Sequence, residues 1–220
     1  AVLLIYLCYS MGLLWYVGGH IPVTNGQETM MFMGLISLAG AAVWRNTTMR
    51  GGLMAVAAMA LFVAAMGGRT PQIGSMMPVL ASPLLSVHVM VVMAAYALFL
   101  LMAIVATLSL AAKSKCQSER LCLLNRLLLT PAVCLLGAGI FIGAVWANQT
   151  WGRYWGWDPK ETCALVMWLV YALPLHQGWQ PLRIFRKDKA LNIYLLLAVL
   201  TVAFTYFGAN YLLKGLHSYA

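Results

Sequence analysis

The sequence predicts an all-α integral membrane protein, a polytopic bundle of about seven transmembrane helices joined by short connections, with one tryptophan-rich loop on the outer side. The first sign is composition. Of 220 residues, 63% are hydrophobic and 9% charged, and the mean hydropathy is +0.84, more apolar than a soluble domain can hide in its core. The second is length: apolar runs near the roughly 20 residues that cross a bilayer occur at 1–18, 29–44, 51–67, 84–112, 127–147, 160–177 and 190–213. They lack the alternation of barrel strands. The third is the placement of charge in alternate connections.

The first run opens at Ala1, inside an apolar stretch and without an initiator methionine, and is expected to be cut from a longer precursor or fusion. It leads into Gly18-Gly19-His20-Ile21-Pro22, a loop with turn chemistry in which His20 carries no assigned role. Arg45 and Arg50 separate the second and third runs, and Pro83 precedes the fourth. Lys113, Lys115, Arg120 and Arg126 are read as a connection before the fifth. Asp158-Pro159-Lys160-Glu161 fits an N-cap, a first-turn proline and a glutamate at the third helical position, opening the sixth. Pro174 and Trp179 mark its end, and Arg183, Arg186, Lys187 and Lys189 precede the seventh. No internal repeat or low-complexity tract divides residues 1–220, so one membrane domain is expected.

The formal charge of +9 would suggest nucleic acid in a soluble protein. Here ten of the fourteen basic residues fall on one side if each run crosses once. That side is then cytoplasmic by the excess of Lys and Arg. The outer segments are 18–28, 67–83, 147–158 and 214–220, and the opposite loops hold Arg69, Arg153, Lys160 and Lys214.

The outer segment 147–161 carries the chemistry. Trp151-Gly152-Arg153-Tyr154-Trp155-Gly156-Trp157 packs three tryptophans and a tyrosine into seven residues. Interfacial belts scatter such residues singly, whereas a dense, glycine-punctuated cluster offers a broad aromatic surface to a flat, polarizable ligand. Asp158 can serve as a helix cap or contact the ligand. Arg153 and Lys160 can pair with carboxylates such as haem propionates or anchor at the interface. His88, about one turn after Pro83, and His217, beyond the seventh run, lie on the same outer side. Two imidazoles at similar depth can supply both axial ligands of one haem. His176 lies ~26 Å along the sixth run, toward the cytoplasmic end. It is either a helix-end histidine or one ligand of a second site that needs a ligand from elsewhere. Cys8, Cys116, Cys122, Cys134 and Cys163 show no metal spacing and are read as packing residues. With no Cys-x-x-Cys-His run, the chain has no covalent haem of its own.

The run from Trp151 to Thr162, followed by an apolar helix ending Leu175-His176, resembles the tryptophan-rich WWD signature of the cytochrome c assembly family. Within that family it is most similar to the CcsA (ResC) type of the System II haem lyase, found also as the C-terminal part of CcsBA fusions. The resemblance implies that His88 and His217 ligate haem iron beside a platform comprising Trp151, Arg153, Tyr154, Trp155, Trp157 and Asp158. It implies that His176 serves an intramembrane haem site whose opposing ligand belongs to a CcsB (ResB) subunit. The implied cargo is haem b, presented in reduced form on the periplasmic side of a bacterial inner membrane to an apocytochrome c bearing Cys-x-x-Cys-His. Holocytochrome c synthesis would then proceed mainly by positioning. A haem transporter or delivery subunit without ligation activity is the alternative, and a b-type redox subunit is disfavoured by the few membrane histidines.

Overall fold

The computed structural model describes residues 2–67, 82–209 and 213. Seven α-helices run α1 (Val2–Gly18), α2 (Gly26–Val43), α3 (Thr47–Met66), α4 (Pro83–Ala111), α5 (Lys115–Trp151), α6 (Pro159–Ala172) and α7 (Asp188–Ala203). Two 3-10 segments, Leu173–His176 and Gln180–Arg186, join α6 to α7, and a π turn, Phe204–Gly208, continues α7. No strand occurs among the described residues. The protein is thus an all-α polytopic membrane protein. Four segments are long and apolar enough to cross a membrane: Thr47–Met66, Pro83–Ala111, Lys115–Trp151 and Asp188–Gly208. Helices α1, α2 and α6 do not meet that criterion among the described residues; α1 is apolar but has 17 residues, and α6 has 14. By length and composition four of the seven helices qualify among the described residues, and the other three are shorter or less apolar.

Local chemistry sets the helix starts. Asn25 caps α2 by accepting from the Glu28 N–H at 2.9 Å, while the Glu28 carboxylate accepts from the Thr24 N–H and hydroxyl, both at 2.8 Å. Asn46 caps α3 through the N–H groups of Thr48 and Met49. Pro83 occupies the first turn of α4, where its missing N–H costs nothing.

The fifth run departs most from expectation. Hydropathy marks 127–147, but residues 115–151 wind into one helix of 37 residues. Lys115, Arg120 and Arg126 therefore lie on α5 rather than in a connection. The reason is that a polar stretch of Lys, Gln, Glu, Arg and Leu is helix-forming in its own right. At ~1.5 Å per residue the helix is ~55 Å long against a ~30 Å hydrocarbon core, so its ends project beyond the apolar layer. Pro131 sits inside it and cannot donate to the carbonyl one turn back.

The helices pair antiparallel. Trp168 Nε1 donates to the Val133 carbonyl at 3.1 Å, joining α6 to α5, and Tyr194 Oη donates to the Val170 carbonyl at 2.8 Å, joining α7 to α6. Phe99 on α4 stacks on Tyr171 of α6 with ring centroids 3.7 Å apart. Around them Val56, Leu101, Met102 and Leu136 are fully buried. Of the free cysteines only Cys122 is buried, so packing fits that residue; Cys8, Cys116 and Cys134 are exposed and Cys163 is half-buried.

A polar cluster ties α4, α5 and α7 at the basic end. The Asn125 and Asn192 amides meet at 2.9 Å, and Asn192 Nδ2 donates to Ser109 Oγ at 2.9 Å. Arg126 donates to Gln177 Oε1 at 2.9 Å, to the Phe185 and Arg186 carbonyls at 3.0 Å each, and to Asp188 at 3.1 Å. One guanidinium thus gathers the irregular link between α6 and α7 onto α5. Arg126→Ala is expected to lower stability in detergent by about 1–3 kcal/mol. Arg126→Lys should not restore it, because an ammonium cannot fork across these acceptors. Full stability of the lysine variant in thermal unfolding would show that the charge alone suffices.

Candidate functional site

The tryptophan segment begins while α5 is still helical. The helix ends at Gly152, whose left-handed backbone (φ 72, ψ 16) turns the chain and lets its N–H donate to the Asn148 carbonyl at 2.9 Å. Residues 147–151 are thus helical, and only 152–158 form the loop that the sequence placed across 147–158. Trp146, 2% exposed, meets Trp151 edge to face with centroids 4.9 Å apart and anchors the segment to the helix. Tyr154 and Trp157 face outward, 61% and 73% exposed. Trp155, half-buried, stands perpendicular to Trp157 at 5.9 Å. The guanidinium of Arg153 lies against Gly156, where an added Cβ would come within 3.0 Å of Nε and 3.1 Å of Cζ.

Trp157 is the only non-glycine residue with positive φ among the described residues, at 56°. A bulky side chain there costs about 1–3 kcal/mol, and the neighbouring hydrogen bonds show what holds it. Glu161 Oε2 accepts from the Gly156 N–H at 2.8 Å and from the Asp158 N–H at 3.1 Å, one on each side of Trp157. Asp158, 5% exposed, in turn caps α6 and accepts from the Lys160 N–H at 3.0 Å. Both halves of the capping box are formed. The cap was legible from Asp158 and Glu161; the second grip of Glu161, on Gly156, was not, because it depends on a turn that no spacing rule encodes.

His88 lies half-buried in the second turn of α4. Its Nδ1 is 2.7 Å from the Gly139 carbonyl oxygen of α5. A carbonyl only accepts, so Nδ1 carries the proton, and Nε2 holds the lone pair in the neutral ring. The imidazole rests on Gly143. His176 ends the first 3-10 segment at the opposite, basic end, exposed, with Nδ1 3.0 Å from the Ala172 carbonyl. The sixth run is thus α-helical only to Ala172 and tightens to a 3-10 turn around Pro174. His20 remains a loop residue, its Nδ1 3.2 Å from the Ile21 carbonyl. His217 lies outside the described residues, as do Arg69 and Lys214.

The far end of α7 lies at the tryptophan end. In the π turn, Thr205 Oγ1 donates to the Thr201 carbonyl at 2.7 Å and to the Cys163 carbonyl at 3.5 Å, and Tyr206 Oη donates to the Gly26 carbonyl at 3.1 Å. Those contacts set the far end of α7 beside the first turns of α6 and α2. The fold thus gathers His88, the tryptophan loop and the end of α7 at one end, and leaves His176 at the other.

Residues 3–217 match the family model described as cytochrome C assembly protein. The chain is 34% identical over 233 residues to Protein NrfI of Wolinella succinogenes, covering 99% of this chain and 25% of that protein. It is 29% identical over 263 residues to the cytochrome c biogenesis protein CcsA of Synechococcus sp. strain CC9902, covering 100% of this chain and 84% of the relative. With CcsA of Synechococcus sp. strain CC9311 the identity is 31% over 262 residues, covering 97% and 84%. The chain therefore spans a quarter of NrfI and most of the CcsA proteins.

Trp157→Gly is expected to raise the unfolding temperature in detergent, by relieving about 1 kcal/mol of backbone strain. Glu161→Ala is expected to lower it, by leaving two N–H groups unbonded. A fall in the first variant would show that indole contacts outweigh the strain.

Proposed function

The chain belongs to the cytochrome c assembly protein family, and from that premise we propose that it is a haem-binding subunit of a System II cytochrome c synthase, presenting reduced haem for thioether attachment to apocytochrome c. The observation that carries this reading is the joint placement of His88 and the tryptophan loop at the end of the bundle opposite the basic connections. By the excess of Lys and Arg, the basic end is cytoplasmic and the tryptophan end outer. In a bacterial inner membrane the outer side is periplasmic.

The cargo is haem b. His88 and His217 supply its axial ligands, and neutral imidazole nitrogens suit that task. Trp151, Tyr154, Trp155 and Trp157 offer ring faces and edges to the porphyrin. Arg153, held against Gly156, is a donor for a propionate. Asp158 acts through the backbone, by fixing where the loop ends and α6 begins. His176, exposed at the other end, serves a second haem site completed by a ligand from a CcsB (ResB) subunit.

The reaction is an addition. Each thiol of a Cys-x-x-Cys-His segment adds across one haem vinyl group: sulfur bonds one vinyl carbon, the thiol hydrogen goes to the other, and the double bond becomes single. No atom is lost and no net oxidation occurs. The chain contributes by keeping the iron ligated and the vinyl groups facing the thiols.

His88→Gly and His217→Gly in the complex with CcsB are expected to lose the haem of the outer site and to regain it with added imidazole. Unchanged haem content in the reduced spectrum would sink the ligand assignment. A second measurement separates ligation from delivery. Complex supplied with haem, reductant and a Cys-x-x-Cys-His peptide is expected to yield a thioether product; bound haem without product would favour a delivery subunit.

A further inference from the structure

Resting on the reading that His88 ligates haem iron, we propose that Gly143 is a positioning residue for that ligand: its missing side chain seats the imidazole against α5, where the Gly139 carbonyl fixes the tautomer that directs Nε2 to the metal. A Cβ on Gly143 would fall 2.6 Å from His88 Cε1, 2.7 Å from Nδ1 and 3.3 Å from Nε2. Ordinary carbon contacts lie near 3.5–4.0 Å, so the ring and a methyl group cannot share the place.

The ring must be what moves. Val92, four residues beyond His88 and on the same face of α4, packs on Gly139, where a Cβ would come within 2.6 Å of its Cγ2 and 3.6 Å of its backbone nitrogen. The two helices are thus already at closest approach one turn away. A ring displaced from Gly143 leaves the Gly139 carbonyl, because that 2.7 Å bond requires the present orientation. Two effects on a ligating histidine follow. The tautomer is no longer set by an acceptor, and the ring loses the basicity that an Nδ1–H donated to a carbonyl confers.

Gly137 separates this role from general packing. It stands on the same helix and also excludes a Cβ, 2.9 Å from Trp168 Nε1, but the atoms nearest that Cβ belong to Trp168 and not to a histidine.

The test is a double-mutant cycle in the full complex, read by haem content, reduced-haem band positions and response to imidazole. Gly143→Ala is expected to weaken outer-site haem binding by roughly 10-fold and to shift the bands. On the His88→Gly background with imidazole, the same substitution is expected to be silent, since the ring it displaces is gone. Gly137→Ala is expected to leave the bands in place. The proposal is overturned if Gly143→Ala leaves binding and bands unchanged, or if it costs as much haem with His88→Gly plus imidazole as without. Unchanged haem in His88→Gly alone would overturn the ligand assignment itself and this proposal with it, a result distinct from either of those.

Discussion

The close approach of α4 and α5 is the contact on which the rest of the structure depends. Lipid chains are as apolar as leucine, so burying hydrocarbon gives membrane helices little reason to associate, and small residues that let backbones meet take over that role. Gly139 and Gly143 provide this on α5, and Val92 and His88 fill the space they leave. Gly137 does the same for Trp168 of α6. Because α5 contacts α4 on one side and α6 on the other, displacing it would disturb both the half-buried histidine and the loop that leads into α6.

A second regularity follows from the same solvent. Polar side chains repeatedly give their hydrogen to a backbone carbonyl: His88 to Gly139, Trp168 to Val133, Tyr194 to Val170 and Thr107 to Ala103. In a medium without water each such donor otherwise costs several kcal/mol. Tyr171, fully buried, stacks well on Phe99, yet its hydroxyl finds no partner among the described residues. Its ring packing has to outweigh that loss.

The class of fold was legible because lipid imposes it: apolar runs of sufficient length admit few structures. Helix ends were legible where they depend on local chemistry, as at Pro83 and Asp158. The beginning of α5 was not, since hydropathy reports the solvent around a segment and a helix can continue out of the bilayer on residues such as Lys115 and Arg120. At the site, residue types and order pointed to His88 and the tryptophans. The seat of His88 and the left-handed turn at Trp157 stayed hidden, because both arise between segments: one from a glycine 55 positions away from His88, the other from a carboxylate that reaches backward over the turn.

The unbroken length of α5 has a geometric consequence. From Gly143, under His88, to Trp151, where the aromatic loop starts, the helix runs without interruption. It therefore works as a threaded rod, in which height and azimuth cannot change independently. Adding or removing one residue between those points would move the loop ~1.5 Å along the axis and swing it ~100° around it. The spacing between the histidine and the aromatic surface is thus restricted to steps that bring the loop back near the same bearing, of which two turns, about seven residues, is the shortest that returns within ~20°.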